Sequence, residues 1–356
     1  MSAFFDAQAR IRGLDEVARQ QAIDRHARLL KPPGSLGRLE SLGAHLAAIT
    51  GECPPAGPDP VVVVVFAGDH GVVRQGVTAW PQEITAAMVG AMAAGRAAVS
   101  VLARMLGVEL LICDVGVAHP LPSSAPALHQ VVERRVVSGT HDLSEGPAMS
   151  GSEAEAALDV GAELAAEAVG HGARCLVTGE MGIGNTTAAS ALAAALIGLP
   201  AEEVTGRGAG LDDAALAVKT EVVRRALARV RDKAGADPDP LLALQELGGV
   251  EIGAVAGFVV GGAAAGVPVV IDGFIAGAAT LLAARLAPGA AARCVAAHRS
   301  AEPGATAVLE ALDLEPLLDL GLRLGEASGA LLAIPLLRAA TTVLREMGTI
   351  DEVSPG

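Results

Sequence analysis

From residue 60 onward the chain alternates short β-branched or apolar runs with long Ala-rich stretches, and this alternation restricts the folds open to it more than any other feature. The runs are Val61 to Phe66, Leu110 to Val115, Val131 to Val137, Cys175 to Thr178, Val267 to Ile271 and Cys294 to Ala297. A half-buried strand alternates apolar with polar residues, whereas a run such as Val61-Val-Val-Val-Val-Phe66 buries both faces. Strands of that kind, separated by helices, build a mainly parallel sheet covered on either side. The predicted fold class is therefore α/β and doubly wound, with any ligand held beyond the C-terminal ends of the strands.

The two chain ends read differently. Residues 14–50 form two helices broken at Lys31-Pro-Pro-Gly34, with Ser35 placed to cap the second. Gly51 to Pro60 is a Pro- and Gly-rich linker and marks a boundary. From about residue 307 the pattern is helical again. A chain of 356 residues exceeds what one core serves well. The expected division is a small helical domain drawing on residues 1–50 and 307–356, around an α/β domain of residues 51–306.

Aromatic residues make up only 2% of the chain, with no Tyr, while Gly occurs 43 times, so backbones must pack closely. A net charge of -14 argues against a nucleic-acid partner, since phosphate backbones are bound by surplus Lys and Arg. Any bound anion must be held by local features such as helix N-termini. The four cysteines are far apart without a C-x-x-C pair, and the N-terminus lacks an apolar signal segment. Both observations point to a reducing, cytoplasmic setting. Residues Ile252 to Ile271 carry no charge, but five glycines and Pro268 make them a core helix and strand rather than a membrane span.

Chemistry is expected where strands run into Gly-rich sequence. In Thr178-Gly-Glu-Met-Gly-Ile-Gly-Asn-Thr-Thr187, Gly179, Gly182 and Gly184 permit tight turns, and Asn185, Thr186 and Thr187 offer caps for the following helix. The free N–H groups of such a terminus suit a phosphate, although no Walker G-K-[ST] is present. Glu180 lies inside this loop, facing either ribose hydroxyls or solvent. A second loop, Gly206-Arg-Gly-Ala-Gly-Leu-Asp-Asp213, contributes Gly206 and Gly208 and opens a helix capped by Asp212. On that helix Lys219 falls within the apolar stripe of Leu216, Val223, Leu227 and Val230. It either snorkels from the edge or binds an anion. Asp69, His70 and His298 sit at strand ends without a companion ligand set, so hydrogen bonding is expected there and no metal, with His298 also a candidate to line the pocket. Glu326 is a lone carboxylate among small residues in Leu324-Gly-Glu-Ala-Ser-Gly329. Burial would raise its pKa toward neutrality, as a general base requires; the other reading is a first-turn Glu favoured by the helix dipole.

Five segments together, Lys31 to Glu40, Phe66-Ala-Gly-Asp-His-Gly-Val-Val73, Thr178 to Thr187, Gly206 to Asp213 and Leu324 to Gly329, closely resemble the nicotinate-nucleotide:dimethylbenzimidazole phosphoribosyltransferase family. The matches run in order over nearly the whole chain. The resemblance implies a Rossmann-like large domain, a small domain built from both chain ends, and a homodimer in which the neighbouring subunit completes the site. It implies that nicotinate mononucleotide and a benzimidazole base are the substrates, that no cofactor is needed, that Glu326 is the base, and that Glu180 and Lys219 bind the nucleotide. Two positions depart from the family pattern: Ala327 replaces a Gly, which would be strained at positive φ, and Thr78 replaces a Ser near the base pocket. An NAD-dependent oxidoreductase would require a G-x-G-x-x-G that does not emerge clearly. A pyrophosphorylated-sugar transferase would require a second acidic residue beside Asp272, where Gly273 stands. A non-catalytic nucleotide-binding module would be indifferent to Glu326.

Overall fold

In the computed structural model, which describes residues 2–121 and 127–353, the six runs become strands of one sheet. Helices α1 (Ala3–Gln8), α2 (Glu16–Arg28) and α3 (Arg38–Thr50) precede β1 (Val61–Gly68). Then come α4 (Ile84–Ala93), α5 (Ala98–Leu106), β2 (Glu109–Gly116), β3 (Gln130–Glu133), α6 (Gly151–Gly170) and β4 (Cys175–Met181). Five helices follow: α7 (Asn185–Ile197), α8 (Ala201–Val204), α9 (Asp213–Ala234), α10 (Pro240–Leu247) and α11 (Val250–Ala265). The chain then forms β5 (Val269–Ile271), α12 (Phe274–Leu286), β6 (Cys294–Ala296), α13 (Gly304–Ala311) and α14 (Ser328–Glu346).

The strand order is β3-β2-β1-β4-β5-β6, with every pair parallel. This is the doubly wound Rossmann order. Alternate residues of β1 serve opposite faces: Val62, Val64 and Phe66 join the core with α6, α7, α11 and α12, while Val61, Val63 and Val65 pack toward α3, α5 and α14. Two strands differ most from their expected lengths. β4 runs on to Met181 because its ladder with β1 continues through Phe66↔Glu180 and Ala67↔Met181, so Glu180 belongs to a strand and not to a loop. β3 stops at Glu133, after which Arg134 and Val136 still donate to Asp114 O and Val115 O.

Residues 252–263 and 268–271 are buried in the core. Helix α11 is buried along almost its whole length and crosses α6 with no room for side chains between the two backbones. A Cβ on Gly161 would come within 1.8 Å of Ala254 O, and one on Gly257 within 1.9 Å of Leu158 O.

Helices α2 and α3 pack on each other and on α14, and Leu30 N–H donates to Gly348 O at 2.8 Å. Helix α1 packs instead on α6 and α11. Ser35 does not cap α3. The N-cap is Gly37, and Glu40 reaches back to accept from Leu36 N–H at 3.0 Å and from Lys31 Nζ at 2.7 Å.

Candidate active site

Strand order reverses between β1 and β4, and a crevice forms beyond the carboxyl ends of strands at such a point. Here it is a cleft of about 750 Å³. Its walls come from the segments after β1, β4, β5 and β6, from the Gly206–Gly210 loop and from residues 321–326.

One side is formed by Gly-rich turns and the first turn of α7. Gly182 passes so close to β1 that a Cβ would lie 2.2 Å from Gly68 O. Gly184, at φ 94°, is the N-cap of α7, so Asn185, Thr186 and Thr187 occupy the first turn instead of capping it. Asn185 Nδ2 donates back to Glu180 Oε2. Asp212 caps α9 as expected, accepting from Ala215 N–H at 2.8 Å. Lys219 does not snorkel. It is fully buried, and Nζ donates to Thr186 Oγ1 at 2.8 Å and to Gly206 O at 3.0 Å. Burial pushes its pKa down to about 8. Arg323 Nη1 donates to Gly208 O at 2.9 Å, tying the last loop to this side.

The other side gathers carboxylates. Glu180, Asp272 and Glu326 are all buried, and Gly325 lies against Glu180, where a Cβ would stand 2.5 Å from Oε1. Burial and then the charges of Asp272, Glu251 and Glu326 raise Glu180 well above the usual carboxylate range. Burial, with Asp272 second, pushes Glu326 up to about 7. Glu326 is not in the first turn of α14. It sits two residues ahead of it, at φ 61°, and Ala327 follows at φ 63°. Two consecutive non-glycine residues in the left-handed region each cost about 1–3 kcal/mol and persist where surrounding packing dictates them. Ala327 bears that strain in full burial, its Cβ against Gly179.

Thr78, Glu180, Gly182, Gly184, Asn185, Gly208 and Glu326 all line the cleft, while Gly206 and Lys219 stand directly behind Thr186 and Gly208. Thr78 is half-buried, and its Oγ1 accepts from Trp80 N–H at 3.2 Å. An apolar wall of Val77, Trp80, Ile84, Met88 and Leu324 faces the cleft, with Trp80 half exposed at the mouth. His70 lies behind β1, where its Nε2 meets Glu251 Oε1 at 2.8 Å, both side chains out of solvent. Asp69 Oδ2 accepts from Ala118 N–H at 2.8 Å. Among the described residues no group of three or more His, Cys, Asp or Glu is arranged to hold a metal ion.

A family model described as a phosphoribosyltransferase matches residues 11–354. Among curated relatives, nicotinate-nucleotide–dimethylbenzimidazole phosphoribosyltransferases from Salinispora tropica and Chloroflexus aggregans are similar to this chain. The first is 49% identical, covering 96% of each chain. The second is 51% identical, covering 95% of this chain and 94% of the relative. The chain belongs to this family. As a member of the nicotinate-nucleotide–dimethylbenzimidazole phosphoribosyltransferase family it is an enzyme, a phosphoribosyltransferase, and its α/β fold is that of solved relatives. The crystal structure of the enzyme so named from Thermus thermophilus has a TM-score of 0.88 at 45% identity over 96% of this chain and all of that one. A second from that organism, titled CobT, has a TM-score of 0.89 at 46% identity, again over 96% of this chain and all of that one.

Several cleft residues of this phosphoribosyltransferase gave little or no sequence signal. Ser300 and Glu302 line the cleft beside His298, and Glu302 Oε2 is buried without a hydrogen-bond partner. A Cβ on Gly206 would meet that oxygen at 2.0 Å. The available signal was position alone: Ala297-His-Arg-Ser-Ala-Glu302 follows β6, where a doubly wound sheet keeps its ligand contacts.

Proposed function

We propose that the chain transfers the phosphoribosyl group of nicotinate mononucleotide to 5,6-dimethylbenzimidazole, giving nicotinate and α-ribazole 5'-phosphate, with inversion at C1' and Glu326 as the general base. The single observation that carries the reading is Glu326, a buried carboxylate whose pKa near 7 suits proton abstraction at neutral pH, set where the apolar wall meets the anion-binding side.

The chemistry needs one base. Nicotinate leaves from a cationic pyridinium as a neutral ring, so its departure requires no general acid. The attacking benzimidazole nitrogen gains positive charge as its bond to C1' forms, and Glu326 relieves this by accepting the proton from the other ring nitrogen. Attack from the face opposite the leaving group turns the β-nucleotide into an α-product. A positioned base of this kind contributes roughly 10²–10⁴-fold. The phosphate is received by the Gly-rich turns, the first turn of α7 and the ammonium of Lys219, and Glu180 with Asn185 faces the ribose. The flat base lies against the apolar wall beside Thr78. The same reading includes a homodimer, which sedimentation velocity tests directly.

The assay mixes the purified protein with nicotinate mononucleotide and 5,6-dimethylbenzimidazole, with and without added divalent metal, and follows nicotinate and α-ribazole phosphate by chromatography with mass detection. Product from the native protein and a loss of 10²-fold or more, roughly, in Glu326→Gln is expected. No product from folded protein with any benzimidazole or purine base would overturn the reaction, and an undiminished Glu326→Gln would overturn the base.

A further inference from the structure

Helix α14 begins without a cap of its own. Its N-cap residue is Ala327, whose side chain has nothing to offer the free N–H groups of the first turn. The acceptor comes from another strand. Asp272, the first residue after β5, places Oδ1 2.8 Å from Ala330 N. Thr178 of β4 fixes Asp272 in turn: its Oγ1 accepts the Asp272 N–H at 3.4 Å and donates to Val270 O at 3.3 Å. On the other side His298 Nε2 stands 3.6 Å from the same Oδ1. Its ring is wedged against Gly329, where a Cβ would come within 2.0 Å of Cδ2.

Capping alone does not explain an aspartate here. Asp272 is buried, its Oδ2 has no hydrogen-bond partner, and it lies in a region that already holds Glu180 and Glu326. A Ser or Asn would cap as well without the cost of a buried charge.

We propose that Asp272 is the positioning residue of Glu326: from the end of β5 it secures the helix start that aims the base.

The proposal rests on Glu326 being the base. The other charged groups around that carboxyl come from every neighbouring element. Glu180 on β4 is bound by Asn185, and His298 after β6 faces Asp272. Lys219 on α9 is engaged by Thr186 and Gly206, Arg207 by Asp213 and Leu211 O, and Arg323 by Gly208 O. Glu302 lies beyond Gly206, and Glu251 on α11 is held by His70. After burial, Asp272 is the main charge that raises Glu326. A carboxylate left at its ordinary strength would take a proton from a ring nitrogen poorly, because efficiency follows basicity.

The test compares native protein with Asp272→Asn, which keeps an oxygen for Ala330 N–H and removes the charge. The acid limb of kcat is expected to fall by about one pH unit, the plateau to drop with the weaker base, and KM for the nucleotide to stay within about twofold. Independently of turnover, melting temperatures at pH 8 for native, Asp272→Asn, Glu326→Gln and the double variant should be non-additive. With Glu326→Gln inactive, either an unmoved limb in Asp272→Asn or additive melts overturns the proposal and leaves the base in place. A fully active Glu326→Gln removes the base itself and the proposal with it.

Discussion

Glu326 is held at positive φ, 5% exposed, with its carboxyl pushed up to about 7 from the 4.5 of a free glutamate. The folded protein therefore keeps a proton that the unfolded chain releases. Stability from this group is complete below about pH 4.5 and is lost as pH rises toward 7, an energy on the order of 3 kcal/mol at most. Glu326→Gln, which cannot ionise, should melt higher than native protein above pH 7, with the difference shrinking to nothing as pH falls through this window. Thermal melts from pH 4 to 8 check this, and a variant less stable at every pH would contradict it. The turnover rate should move the opposite way, rising with pH up to about 7 as the base ionises. Glu326 was legible in the sequence because a single carboxylate among Gly, Ala and Ser stands out. Asp272 was not: it follows a three-residue strand, and its roles depend on Ala330 and His298, 58 and 26 residues away in sequence. Ser35 misled because a hydroxyl before a helix resembles a cap, while the role falls to Gly37 and the carboxylate of Glu40.

At the scale of elements, the contact of α6 with α11 tolerates no Cβ at Gly161. Gly161→Ala should therefore cost about 1–3 kcal/mol or more by forcing the helices apart, despite the better helix propensity of Ala. Gly170→Ala, at the open end of the same helix with nothing within 4 Å, serves as the control and should be neutral or slightly stabilising. Denaturant unfolding of both variants decides it. The strands were legible because a run of β-branched residues has few other ways to satisfy its backbone. Their limits were less so, since β4 continues through Gly179 and Glu180 only because β1 lies alongside to pair with them. The helix-spaced glycines of α11 signalled close approach, but the partner helix was not readable from the sequence. The order of strands was equally hidden, because Val61 pairs with Cys175 across more than a hundred intervening residues.

Over the whole molecule, the net charge of -14 sits beside a site that receives a phosphate under the reading given above, so attraction must come from a few directed groups and not from the general field. Lys219 and the first turn of α7 have that directed character, being fixed in place before any ligand arrives. Helix α14 has a further consequence. It follows all six strands in the chain, supplies the surface on which α2 and α3 rest, and is preceded by the turn that bears Glu326. During synthesis the two early helices can pack on each other and on β1, but the faces that rest on α14 stay open until all six strands have left the ribosome. A chain ending at residue 327 should expose them and precipitate or bind a holdase, which pelleting and chaperone co-purification would reveal. Under the role proposed for Glu326, the same helix start delivers the proton acceptor. On that proposal a nascent chain can fold its sheet and its Gly-rich turns well before the base is in place, so reactivity arrives together with closure of the fold.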